Sequence, residues 1–417
     1  MTTTKRNNSG AIVIIGILFF IFGFITWLNA TLIPYLKISC ELTTFESYLV
    51  TFAFYISYFV MALPSSVVLN NTGFKNGMSL GLLVMAAGAL IFIPAAYTRF
   101  YGLFLLGLFI QGTGLALLQT AANPYVTIVG PIESAAKRIS IMGVANKVAG
   151  IISPIVMGAI VLDNIDAVEL KIKSMTAVEK AAELDALAAK VIWPYVIMAV
   201  VLVLLAGLIK LSSLPDIKDD DNETAGGNEK DSIFDYTYLW LGALTIFVYV
   251  GAEVIAVDTL IAYGKSLGFK LSDAKFFSSF TLVAMIVGYF FGIIAIPKFI
   301  KQDKALMLFA AMGVVFTAVA LFTTGFTSVL FIAALGFANS IMWPAIWPLA
   351  IDGLGRYVKT GSAILIMAIA GGALLPLLYG KLADPEIAGT QTAYVILIPL
   401  YLYILFFAAK GHRIGKR

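Results

Sequence analysis

Twelve apolar stretches, each close to the length that crosses a lipid bilayer, run along this 417-residue chain. An α-helix rises 1.5 Å per residue, so about 20 apolar residues cover a hydrocarbon core roughly 30 Å thick. The stretches lie near 11–36, 45–69, 77–97, 101–125, 138–162 and 190–212, then near 236–263, 273–299, 304–324, 328–352, 360–382 and 392–410. Only 12% of residues are charged, about half the share in soluble domains. So few charges cannot cover a water-facing surface, so the outer surface must face lipid. In lipid every backbone group needs an internal partner, which makes spans of this length helical. The chain is therefore expected to be an all-α membrane protein with twelve transmembrane helices.

Rare residue types exclude several chemistries. Cys40 is the single cysteine and His412 the single histidine. An intrachain disulfide and a thiolate or imidazole metal cluster are thus excluded. No Gly-rich phosphate loop is present, so ATP hydrolysis is not the expected driver. The net charge of +4 is too small to suggest nucleic acid. Expected partners are a small solute and membrane lipid, with no cofactor and a monomer as the working unit. The run after the basic N-terminus is too long for the core of a signal peptide, and it is kept as the first span.

The polar stretch 213–235 is acidic and rich in Gly and Asn, and it reads as a linker. It separates a first half, 1–212, from a second, 236–417. A second insert near 163–189 contains strong helix formers and is expected to carry a short surface helix without chemistry. Lys and Arg concentrate in the loops on the side of the N-terminus, which predicts both termini in the cytoplasm. The halves look duplicated. Ile141–Met142 with Pro154 and Gly158 matches Ile366–Met367 with Pro376 and Gly380; Asn29-Ala30-Thr31-Leu32 matches Val257-Asp258-Thr259-Leu260. Two pseudo-symmetric six-helix bundles with a midplane site between them follow.

Polar groups at membrane depth are costly, so each invites a functional account. Trp27 and Asn29 in the first span place an indole beside an amide, a combination suited to a sugar's C–H face and hydroxyls. Gln119 and Asn123 in the fourth are four apart and share a helix face, offering donors and acceptors together. Pro124 frees carbonyls nearby. Asn146 and Lys147 sit in the fifth span, Lys147 about 13 Å along the helix from Arg138 and so near the midplane. Glu253 in the seventh span has a matching depth; Asp258 lies nearer the outer mouth. A carboxylate withdrawn from water can bind a proton reversibly, and either one with neighbouring carbonyls can hold Na⁺, so Glu253, Asp258 and Lys147 are the expected ion-coupling set. Asn339, Trp343 and Trp347 in the tenth span correspond to the fourth-span cluster. Alternatives stay open: Asn29 and Asn123 could serve helix packing, Lys147 could be locked in a static pair, and the tryptophans could face lipid.

The segments WLNATLIPYL, LLQTAANPYVTIVGP, FANSIMWPAIWPLAI and IMAIAGGALLPLLYG resemble the fucose–galactose–glucose permeases of the major facilitator superfamily. The likeness covers essentially the whole chain and is closest to the branch of glucose/galactose and N-acetylglucosamine permeases. It implies an alternating-access importer of a monosaccharide, with Asn146 matching a sugar-binding asparagine. Two departures matter. The fucose pattern has a proton-coupling aspartate where this chain has Ala30, and a glutamate where it has Gln119. The duplication places Asp258 opposite Ala30, which suggests that the coupling carboxylate has moved to the second half, with H⁺ or Na⁺ as the ion. A uniporter without ion coupling, a non-transporting sugar sensor and an exporter of amphipathic drugs are the rivals. A lipid-active enzyme would need a catalytic constellation, and no Ser/His/Asp set is present.

Overall fold

A computed structural model describes residues 9–128, 135–212, 232–296 and 299–416. Among these, eleven apolar helices are long enough to cross a membrane. One of them, Leu49–Thr98, is 50 residues long and contains Gly73 at φ 75°, ψ 166°. That left-handed φ suits glycine and ends one helix before the next begins, so this element is two spans and the total is twelve. In order they are span 1 (Ile12–Ser39), spans 2 and 3 (Leu49–Thr98), span 4 (Tyr101–Ala122), span 5 (Ile141–Val161) and span 6 (Ile192–Leu211). The second half has span 7 (Thr237–Asp258, continued by Leu260–Ser266), span 8 (Leu271–Ala295), span 9 (Gln302–Phe322), span 10 (Gly325–Ile351), span 11 (Thr360–Leu382) and span 12 (Thr390–Arg413). The expected linker lies outside the described residues except for its last turn, Ile233–Asp235, capped by the Ser232 hydroxyl.

Packing repeats between halves. Spans 1 and 5 pack together as spans 7 and 11 do; 2 and 4 as 8 and 10; 3 and 6 as 9 and 12. Between the bundles, span 5 lies on span 8 and span 2 on span 11, again an equivalent pair. The repeat reaches single residues. A Cβ on Gly23 would overlap the carbonyl of Asn146, joining spans 1 and 5. Gly251, at the same offset that aligns Asn29 with Val257, lies against Leu375 and the carbonyl of Gly371, joining spans 7 and 11. Without a hydrophobic drive between helices in lipid, such close backbone contact is what holds them. Gly23→Ala is therefore expected to push span 1 off span 5 and lower the thermal unfolding temperature of the detergent-solubilised protein; an unchanged transition would show that the contact yields freely.

Four spans are interrupted, three near the middle and span 7 toward its end. Span 1 turns at Trp27–Leu28, span 7 at Thr259, span 10 at Ser340–Ile341, and span 11 through a 3₁₀ turn at Ala368–Ala370. In span 10, Pro344 has no N–H to offer the Ser340 carbonyl. At Thr259 the side chain bonds the Ile255 carbonyl at 2.7 Å and meets the Tyr394 hydroxyl at 2.6 Å. Irregular backbone at this depth is tolerated where it is buried in protein or lines a cavity.

The insert after span 5 holds two helices where one was expected. Ala177–Ala189 has a reciprocal capping box, Thr176 with Glu179. Ile165–Ile172 precedes it, entered through Asn164 at a left-handed φ of 56°.

Candidate functional site

The depth match between Lys147 and Glu253 becomes a contact. Lys147 Nζ lies 2.9 Å from Glu253 Oε1, joining span 5 of one bundle to span 7 of the other. Both residues are buried, Lys147 at 6% exposure and Glu253 at 8%. A charge-assisted bond of this length in a low dielectric is strong locally, though the desolvation of both ions offsets much of it. Trp27 completes the arrangement, with its ring 4.3 Å from Lys147 Nζ. A desolvated cation–π contact of this kind contributes about 2 kcal/mol. The indole N–H of Trp27 donates to Asn146 Oδ1 at 3.4 Å, and the Asn146 amide donates to the Phe19 carbonyl at 3.4 Å. Trp27, Asn146, Lys147 and Glu253 thus form one constellation at the midplane. Leu282, Met285 and Tyr289 of span 8 close it against Trp27 and Val257.

Asp258, five residues beyond Glu253, has a different setting. It is fully buried, and neither carboxylate oxygen has a hydrogen-bond partner in the protein. Tyr48, Tyr55 and Glu253 lie within electrostatic reach. Among the described residues, it is the membrane-depth carboxylate without an ion pair. Asn29 resembles it: fully buried, with both amide atoms unpartnered. The Asn29–Ser39 helix packs against both pieces of span 7, and the hydroxyls of Thr31 and Thr51 are also buried and unpartnered. An unpaired buried polar group costs about 1–3 kcal/mol and a buried charge more, so this region carries a concentration of unmet polar demand.

The remaining candidates divide. Trp343 is half-buried, its ring 5.2 Å from Trp347 and 6.5 Å from Tyr249, one turn before Glu253. It therefore forms an aromatic wall beside span 7. Asn339 is fully buried and turned toward span 12, where the Tyr401 hydroxyl donates to its Oδ1 at 3.0 Å. Gln119 is half-buried on span 4. Asn123 lies in the Tyr101–Ile128 helix, with its side chain outside the described residues. The buried tyrosines Tyr48, Tyr55 and Tyr249 and the half-buried Tyr289 were not anticipated. Their signal was available for Tyr48 and Tyr55, which are seven apart and so share a helix face.

The face where spans 1 and 7 end is closed. Tyr48 packs on Gly380 and sits edge-on to Tyr379 at 5.6 Å; deeper in, one turn from Lys147, Ser279 donates to the Ile151 carbonyl at 3.1 Å.

Two six-helix bundles in contact along two equivalent seams, broken helices at mid-depth and a charged constellation between the bundles define a rocking-bundle membrane transporter. The sequence model of the Major Facilitator Superfamily matches residues 15–377. A glucose/galactose transporter of Brucella abortus is 36% identical over 99% of this chain and 96% of its own length. The L-fucose-proton symporter of Escherichia coli is 30% identical over 94% of this chain and 90% of its own. The crystal structure of the transporter FucP in the outward conformation superposes with a TM-score of 0.74 at 28% identity, covering 99% of this chain and 100% of that one. The chain belongs to the fucose–galactose–glucose permease family of the major facilitator superfamily. It is a multi-pass membrane transporter and not an enzyme.

Proposed function

We propose that this protein imports a monosaccharide of the glucose, galactose or N-acetylglucosamine class by alternating access, driven by a cation that binds at Asp258. The observation that carries the coupling is the contrast between the two carboxylates of span 7. Glu253 is neutralised by Lys147 at 2.9 Å; Asp258 is equally withdrawn from water with no partner. A cation arriving there would relieve a desolvation penalty, and that gain is what can drive a conformational change. The similarity to glucose/galactose transporters and to a fucose–proton symporter supports the substrate class.

The sugar would lie at the midplane between Trp27 and Asn146 on one side and Trp343 on the other. Asn29, Gln119 and Asn123 would supply further amides from spans 1 and 4. Lys147 and Glu253 would border this space, holding the bundles in register there. The bundles would correspond to 1–212 and 236–417, joined by a cytoplasmic linker at 213–235. With both termini in the cytoplasm of a bacterial inner membrane, the closed face is the outer one. The protein would work as a monomer.

The test is uptake of labelled glucose, galactose and N-acetylglucosamine into proteoliposomes, under an imposed Na⁺ gradient and then an imposed pH gradient. Accumulation of one sugar under one gradient is the expected result and names both substrate and ion. Equilibration without accumulation under both would make the protein a uniporter; binding without flux would make it a sensor.

A further inference from the structure

The insert after span 5 does more than cover a surface. Its second helix, Ala177–Ala189, is anchored to its own half. The Tyr35 hydroxyl donates to the carbonyls of Leu187 and Ala188 at 2.8 and 3.0 Å, Arg99 pairs with Asp185 at 3.4 Å, and Lys180 pairs with Glu41. Its first helix, Ile165–Ile172, reaches the opposite half. The Asp166 carboxylate accepts the backbone N–H groups of Leu271 and Ser272 at 3.0 and 3.1 Å, capping the start of span 8. Three residues on, about one helical turn, Glu169 pairs with Lys265 at the end of span 7 at 2.5 Å. Lys265 and Glu169 are each about one-third exposed.

We infer that the Ile165–Ile172 helix is a latch that holds the far face closed, with Asp166 and Glu169 as its two catches on the hairpin between spans 7 and 8. The geometry gives the reason. Rocking about the midplane separates the bundles most at their ends, so contacts at this rim must part before the site can open to this side. The catches are polar and partly wetted, hence separately weak. Release therefore costs little, and water can take over each broken bond. The Tyr48 contact with Gly380 and Tyr379 seals the same face from span 2, but it is apolar packing and carries no such exchange.

The inference uses alternating access for its consequence only; the distance measurement that tests it needs neither sugar nor gradient, so failure of the latch and failure of the transport reading are separable. Spin labels on Val178→Cys and Ile387→Cys, both exposed on this face in opposite halves, in a Cys40→Ser background, report the separation of the two rims by pulsed electron resonance. Asp166→Asn with Glu169→Gln is expected to at least double the population at the longer distance. The charge swap Glu169→Lys with Lys265→Glu is expected to return the distribution to that of the parent. A distribution unmoved by the double neutralisation overturns the latch, and so does a swap that opens the face as far as neutralisation does.

Discussion

Asp258→Asn is expected to abolish gradient-driven accumulation while sugar exchange across the membrane continues. The amide keeps the size of the side chain and removes the charge that would attract the coupling ion. With one ion per sugar, a tenfold gradient supports about tenfold accumulation. The variant should bring the internal concentration back to that outside. Exchange uses only the sugar-loaded states and needs no net ion movement, so it should survive. Stability should hold or rise, because a buried charge without a partner is costly and an amide less so. The measurement pairs uphill uptake with exchange of pre-loaded labelled sugar in the same proteoliposomes. Wild-type accumulation by Asp258→Asn would remove the ion from this residue and direct attention to Glu253.

Lys147→Met should show the opposite profile, with stability suffering first. It leaves Glu253 buried at the midplane with its ion-pair partner gone, and breaking one side of a buried pair costs about 3–5 kcal/mol. It also takes the cation from above the Trp27 ring. Adding Glu253→Gln removes the stranded charge, so the double variant should recover most of the lost thermal stability. Transport should remain lost in both, because the constellation that borders the sugar is gone. Thermal unfolding of the two single variants and the double variant, read as a cycle, isolates the pair energy. Equal destabilisation of Lys147→Met and the double variant would mean that the pair contributes little and that Lys147 matters through Trp27 or packing alone.

Several features of the site were legible because the bilayer imposes them. A lysine and a glutamate at the same depth in an apolar environment have few alternatives to each other, and Lys147 and Glu253 are indeed in contact. The duplication was readable from Asn29 and Val257 and from the two Pro-x-x-x-Gly motifs, and it reappears as the equivalent pairings of spans. What sequence could not supply was direction. The spans are apolar all round, so periodicity does not say which face meets lipid, which meets a neighbour and which meets the substrate. Asn339 and Asn29 look alike as buried amides in a row of letters. In the fold one accepts a bond from Tyr401 while the other has none.

The insert makes the same distinction at larger scale. Its strong helix formers predicted a surface helix, and the Thr176–Glu179 cap that starts it is likewise a matter of neighbours a few residues apart. That Asp166 caps a helix beginning at Leu271, and that Glu169 meets Lys265, follows only from how the two bundles come together. The sequence by itself determined the number of spans, the two-fold plan and the depth of each charge, because transfer into lipid is decided residue by residue. The tertiary structure alone decided which carboxylate is neutralised and which is left without a partner, because that depends on the rotation of each helix and on contacts between residues far apart in the chain.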